Sequence, residues 1–307
     1  MQRNELRKEL KFQRELLNLI ETLKNIAGAE YHAMEKEKER FDRFLESFTG
    51  FFRVVDLMDV EHPLVRVVSD KLGLIVVTSD SGFMGGLNQA VVRAALAAQG
   101  SLSNEQVALV VIGEKGAGIM SERPGGFKFF PGINQNTIYE QAVEVKNYIV
   151  QEVLARRMGK VMIAYPRPIS FSAQTVEVVT LLPCAELFDR DAKSELNGRG
   201  PAKGLLAEAR KVIVESSFSD MVEYLASMWV SAKLYQIFED SKLAEFSARA
   251  MHLEGSQQKV ERNVKSLQHK YFKATHEQID KGMRESFSAS KSSRRRRKRE
   301  AQQNAAA

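Results

Sequence analysis

The residues best placed to do chemistry lie in one stretch, VVTSDSGFMGGLNQAVVRAAL, residues 76–96. An apolar run of strand character ends at Thr78. Gly82, Gly85 and Gly86 follow, and then an alanine-rich helical stretch. A glycine turn between strand and helix can hold a phosphate, because its backbone N–H groups and the positive end of the helix both favour an anion. Such cradles carry a pattern, either G-x-G-x-x-G or G-x-x-x-x-G-K-[ST]. Neither is present; no lysine stands ready to reach a phosphate, and Phe83 and Met84 occupy positions where backbone would have to approach the ligand. The spacing therefore favours a structural turn, with Asp80 or Ser81 capping the helix and the glycines supplying positive φ and close helix–sheet packing. Glu114, in GEKGAG after a second apolar run, is a weak candidate for a ribose-binding acid.

No other catalytic set assembles. His32, His62, His252, His269 and His276 have no metal-ligand spacing, and neither H-E-x-x-H nor G-x-S-x-G occurs. The single cysteine, Cys184, is expected as a buried residue at a strand end, and Trp229 as a packing residue. No metal and no cofactor is expected.

The elements that must position these residues fall into segments marked by proline. All seven prolines lie between Pro63 and Pro201, which leaves two long proline-free arms around a proline-bearing centre. In the first arm Leu16, Ile20, Leu23, Ala27, Tyr31, Met34, Phe41, Leu45 and Phe48 recur at steps of three, four or seven, with Lys38 in the one gap. In the second, Leu243, Phe246, Ala250, Leu253, Gln257, Val260, Val264, Leu267, Tyr271 and Ala274 alternate steps of three and four, the mark of a coiled-coil seam. A helix from about 206 to 286 would run roughly 120 Å, so one end must project and find partners. The centre alternates Val/Ile/Leu runs, at 72–80, 106–114, 160–168 and 175–183, with helical stretches at 86–99 and 137–157. That pattern predicts a mainly parallel sheet with helices on its faces. The expected fold is α/β: a Rossmann-like, mainly parallel sheet domain inserted between two long antiparallel coiled-coil helices. The expected segments are 1–62, first helix; 63–204, sheet domain; 205–287, second helix; and 288–307, a disordered basic tail.

Charge sharpens the last boundary. The chain carries 45 Lys+Arg and 39 Asp+Glu. Residues 291–300, KSSRRRRKRE, hold seven basic groups and one acidic one, which leaves 38 of each elsewhere. A balanced body argues against nucleic acid as the partner of the folded part. The run Arg294, Arg295, Arg296, Arg297, Lys298 and Arg299 reads either as a solvated tail or as a contact with an acidic protein face, nucleic acid or anionic lipid. No apolar run approaches the ~20 residues of a membrane span, and the opening MQRNELRKELKF has no apolar signal core.

The glycine turn carries a family resemblance. TSDSGFMGGLN, between the two arms, resembles the T-S-D-R-G-L-C-G-G-x-N stretch of the gamma subunit of F-type ATP synthases. Thr78, Ser79, Asp80, Gly82, Gly85, Gly86 and Asn88 match, while Ser81 replaces the arginine and Met84 the cysteine. Lys24 and Ala27 sit where that family has M-K-x-x-A, and Glu245, Ala248, Arg249 and Met251 match E-x-A-A-R-x-M. EYHA at 30–33 stands in place of a basic K-L-R-R, and YFK at 271–273 in place of A-R-Q, so the family's contacts to the beta subunit's catch loops do not carry over there. The HLEGS and LKNIAGAE wording is similar to the divergent, alternate ion-coupled branch.

The resemblance implies a non-catalytic central-stalk rotor that couples ATP synthesis or hydrolysis to proton or sodium transport. Its partners would be three alpha and three beta subunits, the epsilon subunit and the membrane c-ring, peripheral on the cytoplasmic face of a prokaryotic inner membrane. Asp80, Gly82, Gly85, Gly86 and Asn88 would form a structural turn at the foot of the stalk. Lys24, Ala27, Glu245, Arg249 and Met251 would be shaft residues facing the hexamer, and the basic tail would reach its far opening. The residues leave two rival readings: a nucleotide-binding Rossmann-like enzyme with helical oligomerisation arms, and a coiled-coil scaffold.

Overall fold

The computed structural model describes residues 3–52, 62–67, 69–184 and 218–304. Two long helices open and close the described chain. Helix α1 spans Arg3–Phe52. Then come β1 (Leu72–Val77), α2 (Leu87–Gln99), β2 (Val107–Ile112), α3 (Glu114–Met120), β3 (Lys128–Phe130), α4 (Ile138–Leu154), β4 (Lys160–Ser170) and β5 (Ala173–Leu182). Helix α5 spans Phe218–Asn304. The boundary expected at 204/205 lies outside the described residues. The apolar runs of the centre became β1, β2, β4 and β5. The short β3 and α3 have no counterpart in the pattern, because three and seven residues are too few to show a period.

The strands form one mixed sheet in the order β3-β2-β1-β4-β5. β3–β2, β2–β1 and β1–β4 pair in parallel, while β5 folds back antiparallel on β4. Every residue of β1 is buried, as expected of a strand with parallel neighbours on both sides and helices over both faces. The period of two divides that run between two cores. Ile75 and Val77 join α4, the Tyr31–Met34 turn of α1 and the 225–246 stretch of α5 on one face. Leu74 and Val76 join α2 and α3 on the other.

The chain divides into two compact units. One holds residues 24–252 with the sheet; the other holds 1–23 and 253–307. In the first, the lysine in the gap of the α1 stripe is accounted for: Lys38 donates to the buried carboxylate of Asp240 on α5. The β4–β5 hairpin touches both long helices there. Phe171 at its tip stacks on His32 and meets Tyr31 edge-on, with ring centroids 5.8 and 5.0 Å apart, and Gln174 donates to Ser247 Oγ at 3.0 Å. In the second unit Leu6, Leu10, Ile20, Leu253 and Val264 are buried, and Arg3 donates to Gln278 at 3.1 Å. The α1 stripe thus begins at Leu6, ahead of the Leu16 from which the spacing reads it.

Each seam position of α5 from Leu243 to Ala274 is buried or half-buried, and so are Leu16, Ile20, Leu23, Ala27, Tyr31 and Met34 of α1. Phe41, Leu45 and Phe48 have side chains outside those described. One expectation is corrected. The tail from 288, expected to be disordered, continues α5 as helix to Asn304. After Gly282 the sequence holds neither glycine nor proline, and Ala, Arg, Lys and Gln are good helix formers.

Candidate functional site

Thr78, Ser79 and Asp80 leave the carboxyl end of β1 and bind neighbouring loops rather than open space. The Thr78 hydroxyl donates to the carbonyl of Ile112 at 2.7 Å and accepts from the N–H of Gly116 at 2.9 Å. The Ser79 carbonyl accepts from the N–H of Lys115 at 3.0 Å. Asp80 accepts from the N–H of Glu114 at 2.8 Å and from that of Gly132 at 3.0 Å. These bonds staple β1 to the first turn of α3 and to the loop after β3. Two glycines make the fit possible: a Cβ on Gly116 would meet Thr78 Oγ1 at 2.4 Å, and one on Gly132 would meet the Asp80 carboxyl carbon at 2.5 Å.

This geometry corrects the expected cap. Neither Asp80 nor Ser81 caps α2; Gly86 is its N-cap residue, with no side-chain bond. Asp80 instead places its carboxylate at the amino end of α3, where the exposed N–H groups favour negative charge. Glu114, the candidate ribose acid, is the first residue of α3, and its own N–H is held by Asp80. Positive φ falls on Gly85 (59°) and on Phe83 (65°), not on Gly82 or Gly86. Asn88 closes the turn: its Oδ1 accepts from the Ser79 N–H at 3.2 Å, and its Nδ2 donates to Ser79 Oγ at 3.0 Å.

Of the residues expected on the shaft, Glu245 and Arg249 lie beside this turn within the same unit. Glu245 is buried and accepts from Arg249 at 2.5 Å and from Lys242 at 3.0 Å. Both cations also lie over the Phe246 ring. Lys242, Glu245 and Arg249 share a polar groove of about 620 Å³ with Asp80, Ser81 and Asn134. Gly85 approaches His252, whose Nδ1 would be 3.6 Å from an added Cβ. Ala27 is buried, Lys24 is half-buried, and Met251 is 40% exposed. In the basic run Lys291, Arg294 and Arg295 are exposed; the side chains of Arg296, Arg297, Lys298 and Arg299 are outside those described.

Cys184 is buried, and its N–H donates to the Leu64 carbonyl at 3.0 Å. Among the described residues no group of three or more His, Cys, Asp or Glu could hold a metal ion. What the spacing missed is the set of partners far along the chain: Gly113, Gly116 and Gly132 for the turn, and Asp240 for Lys38. Only the unexplained lysine in an apolar stripe hinted at any of them.

A turn whose aspartate binds the amino end of α3 and the loop after β3, in a chain that opens and closes on two long helices, calls for comparison with known proteins. A family model described as ATP synthase matches residues 2–306. The chain belongs to the ATP synthase gamma-chain family. It is similar to the gamma chain of Desulforudis audaxviator, 29% identical over 201 residues, which cover 64% of this chain and 66% of the relative. Similarity to that of Pelotomaculum thermopropionicum runs further, 25% over 293 residues and 92% and 95% of the two chains. Among solved structures, the rotor of the Euglena gracilis mitochondrial ATP synthase superposes with a TM-score of 0.62 at 15% identity, over 90% of this chain and 98% of that one. The central stalk and c-ring structure of the Tetrahymena thermophila enzyme gives 0.54 at 18%, over 78% and 99%. These two establish a shared fold. By its family the chain is a non-catalytic rotor subunit of the central stalk of a rotary ATP synthase. No helix among the described residues is long and apolar enough to cross a membrane.

Proposed function

We propose that this chain is the torque-bearing shaft of an F-type ATP synthase. Its α1 and α5 would wind as an antiparallel coiled coil inside a ring of three alpha and three beta subunits. A Rossmann-like sheet domain, inserted between them, would rest with the epsilon subunit on the c-ring. The observation that carries the reading is continuity: α1 and α5 each run without a break through both compact units. Two unbroken helices resist twist better than a hinged connection, because every turn is held by backbone hydrogen bonds. As the shaft turns, its asymmetry would present a different face to each catalytic subunit and so link ATP chemistry to ion movement.

On this reading Asp80, Gly82, Gly85, Gly86 and Asn88 form a rigid turn at the foot of the stalk. Lys24, Ala27, Glu245, Arg249 and Met251 lie on the stretch of shaft that faces the hexamer. The complex would sit on the cytoplasmic face of a prokaryotic inner membrane. The rival enzyme reading has the sequence of the glycine turn against it, since neither phosphate-cradle pattern nor a lysine that could reach a phosphate is present.

The deciding experiment is co-purification with the alpha and beta subunits encoded beside it, followed by ATPase assay. The expected result is a complex of three, three and one, with activity lost when this chain is left out. A chain that ignores those subunits and binds a nucleotide with micromolar affinity would overturn the proposal.

A further inference from the structure

Helix α5 ends in a long exposed stretch. Among the described side chains its last half-buried residue is Thr275; from His276 to Arg295 every residue is exposed, and the helix continues to Asn304. At ~1.5 Å per residue the stretch from His276 to Arg295 is about 30 Å of exposed helix. The exposed length carries two features in sequence. First comes an apolar stripe, Phe272, Ile279, Met283 and Phe287, from 48 to 74% exposed, whose steps of seven, four and four keep it on one face. That face is offset from the seam of Val264, Leu267, Tyr271 and Ala274. Beyond it, from Lys291 to Arg299, come seven cations in nine residues, with Glu300 the first acid after them.

We propose that residues 291–304 form a basic helical peg that docks on an acidic protein surface. Given the shaft reading, on which this rests, that surface belongs to the alpha–beta hexamer beyond the point where Phe287 leaves the bore. The order of the two features selects a protein over a membrane. A helix that lies on lipid sets cations beside apolar residues along the same turns. Here the turns of the stripe carry as many acids (Glu277, Asp280 and Glu285) as cations (Lys273, Lys281 and Arg284). The cation run begins only beyond Phe287, and residues 288–304 contain no apolar residue larger than alanine, so there is nothing beside that run to insert into lipid. Nucleic acid is disfavoured because the rest of the chain carries equal numbers of acidic and basic side chains. An end-to-end arrangement of apolar collar and charged tip fits a protein bore with an acidic rim. The rim should lie about 14 Å past Phe287, the rise from there to the middle of the basic run.

The test uses the assembled complex. Two variants are compared with the full chain: one with Arg294 to Arg299 all changed to Gln, which preserves the helix, and one lacking 291–307. The readout is retention of this chain on the hexamer as salt is raised. The expected result is release about tenfold faster for both variants at moderate salt, with a shallower salt dependence. A photocrosslinker at Ser293 is expected to mark an acidic segment of alpha or beta. Unchanged retention and salt dependence in the Gln variant would overturn the peg. So would a variant whose only loss is binding of the complex to single-stranded RNA or to phosphatidylserine–phosphatidylcholine vesicles. A full chain that fails to join the hexamer at all would refute the shaft reading itself, which keeps the two failures apart.

Discussion

At the scale of single residues, Thr78 does the most with the fewest atoms. Its hydroxyl is buried and serves both Ile112 and Gly116. Thr78→Val keeps the shape but strands the Gly116 N–H and the second half of the Ile112 carbonyl's bonding, so it should cost about 2 kcal/mol. A urea midpoint would read that loss. Gly132→Ala forces a methyl group against the Asp80 carboxylate and should cost a similar ~1–3 kcal/mol by displacing the loop after β3. His62 supplies a pH dependence. Burial pushes its imidazole below the ordinary histidine value, only partly offset by the Glu223 carboxylate 3.8 Å away. Its Nδ1 also accepts from the Leu64 N–H at 3.3 Å, which requires that nitrogen to be unprotonated. The folded state therefore binds this proton less readily than the unfolded chain. The stabilisation is present above the unfolded value of about 6.5 and is lost as pH falls below it toward the depressed folded value. Melting temperature should drop between pH 7.5 and 5.5, and His62→Gln should flatten that slope.

At the scale of elements, the β4–β5 hairpin holds the sheet against both long helices, and the Lys38–Asp240 pair ties those helices to each other. Arg167 donates to Glu177 at 2.7 Å, and Tyr165 donates to the same carboxylate at 3.0 Å. Burial pushes Glu177 up, but those two donors outweigh it and hold the carboxyl below its ordinary value. Tyr165, buried and beside that negative charge, is raised well above an ordinary phenol and keeps its proton. Lys38→Met removes the cation that faces a carboxylate of only 6% side-chain exposure. It should destabilise by about 2–3 kcal/mol, below the fully buried case because Lys38 is itself partly solvated. Lys38→Met with Asp240→Leu should recover most of that loss in a double-mutant cycle, since a well-packed apolar pair has no charge to desolvate. The lysine was visible in the sequence as the gap in an apolar stripe. Its partner, two hundred positions away, was not, because periodicity reports a residue's face and not the neighbour across it.

At the scale of the whole molecule, the shaft reading stands on helix continuity. Gln257→Pro interrupts α5 at a seam position just past the division between the units and should cost ~3 kcal/mol locally. In the assembled complex it should lower ions moved per ATP by more than it lowers ATPase rate; an equal fall in both would point to simple loss of assembly.

By itself the amino-acid sequence determined the two helical arms, the four long strands and the glycine turn between β1 and α2. Periods of 3.5 and 2 and the punctuation of proline and glycine are local, so they survive in one dimension. It also carried the motif of Thr78 to Asn88, by which the family was legible before any coordinate. Tertiary structure alone decided what Asp80 does, since only folding brings the N–H groups of Glu114 and Gly132 to its carboxylate. It decided as well that β3 and α3 exist, being too short to show a period, and that β5 turns back against an otherwise parallel sheet. Strand direction is set by which edges meet and which loops can span them, and a run of Val, Ile and Leu reads the same either way.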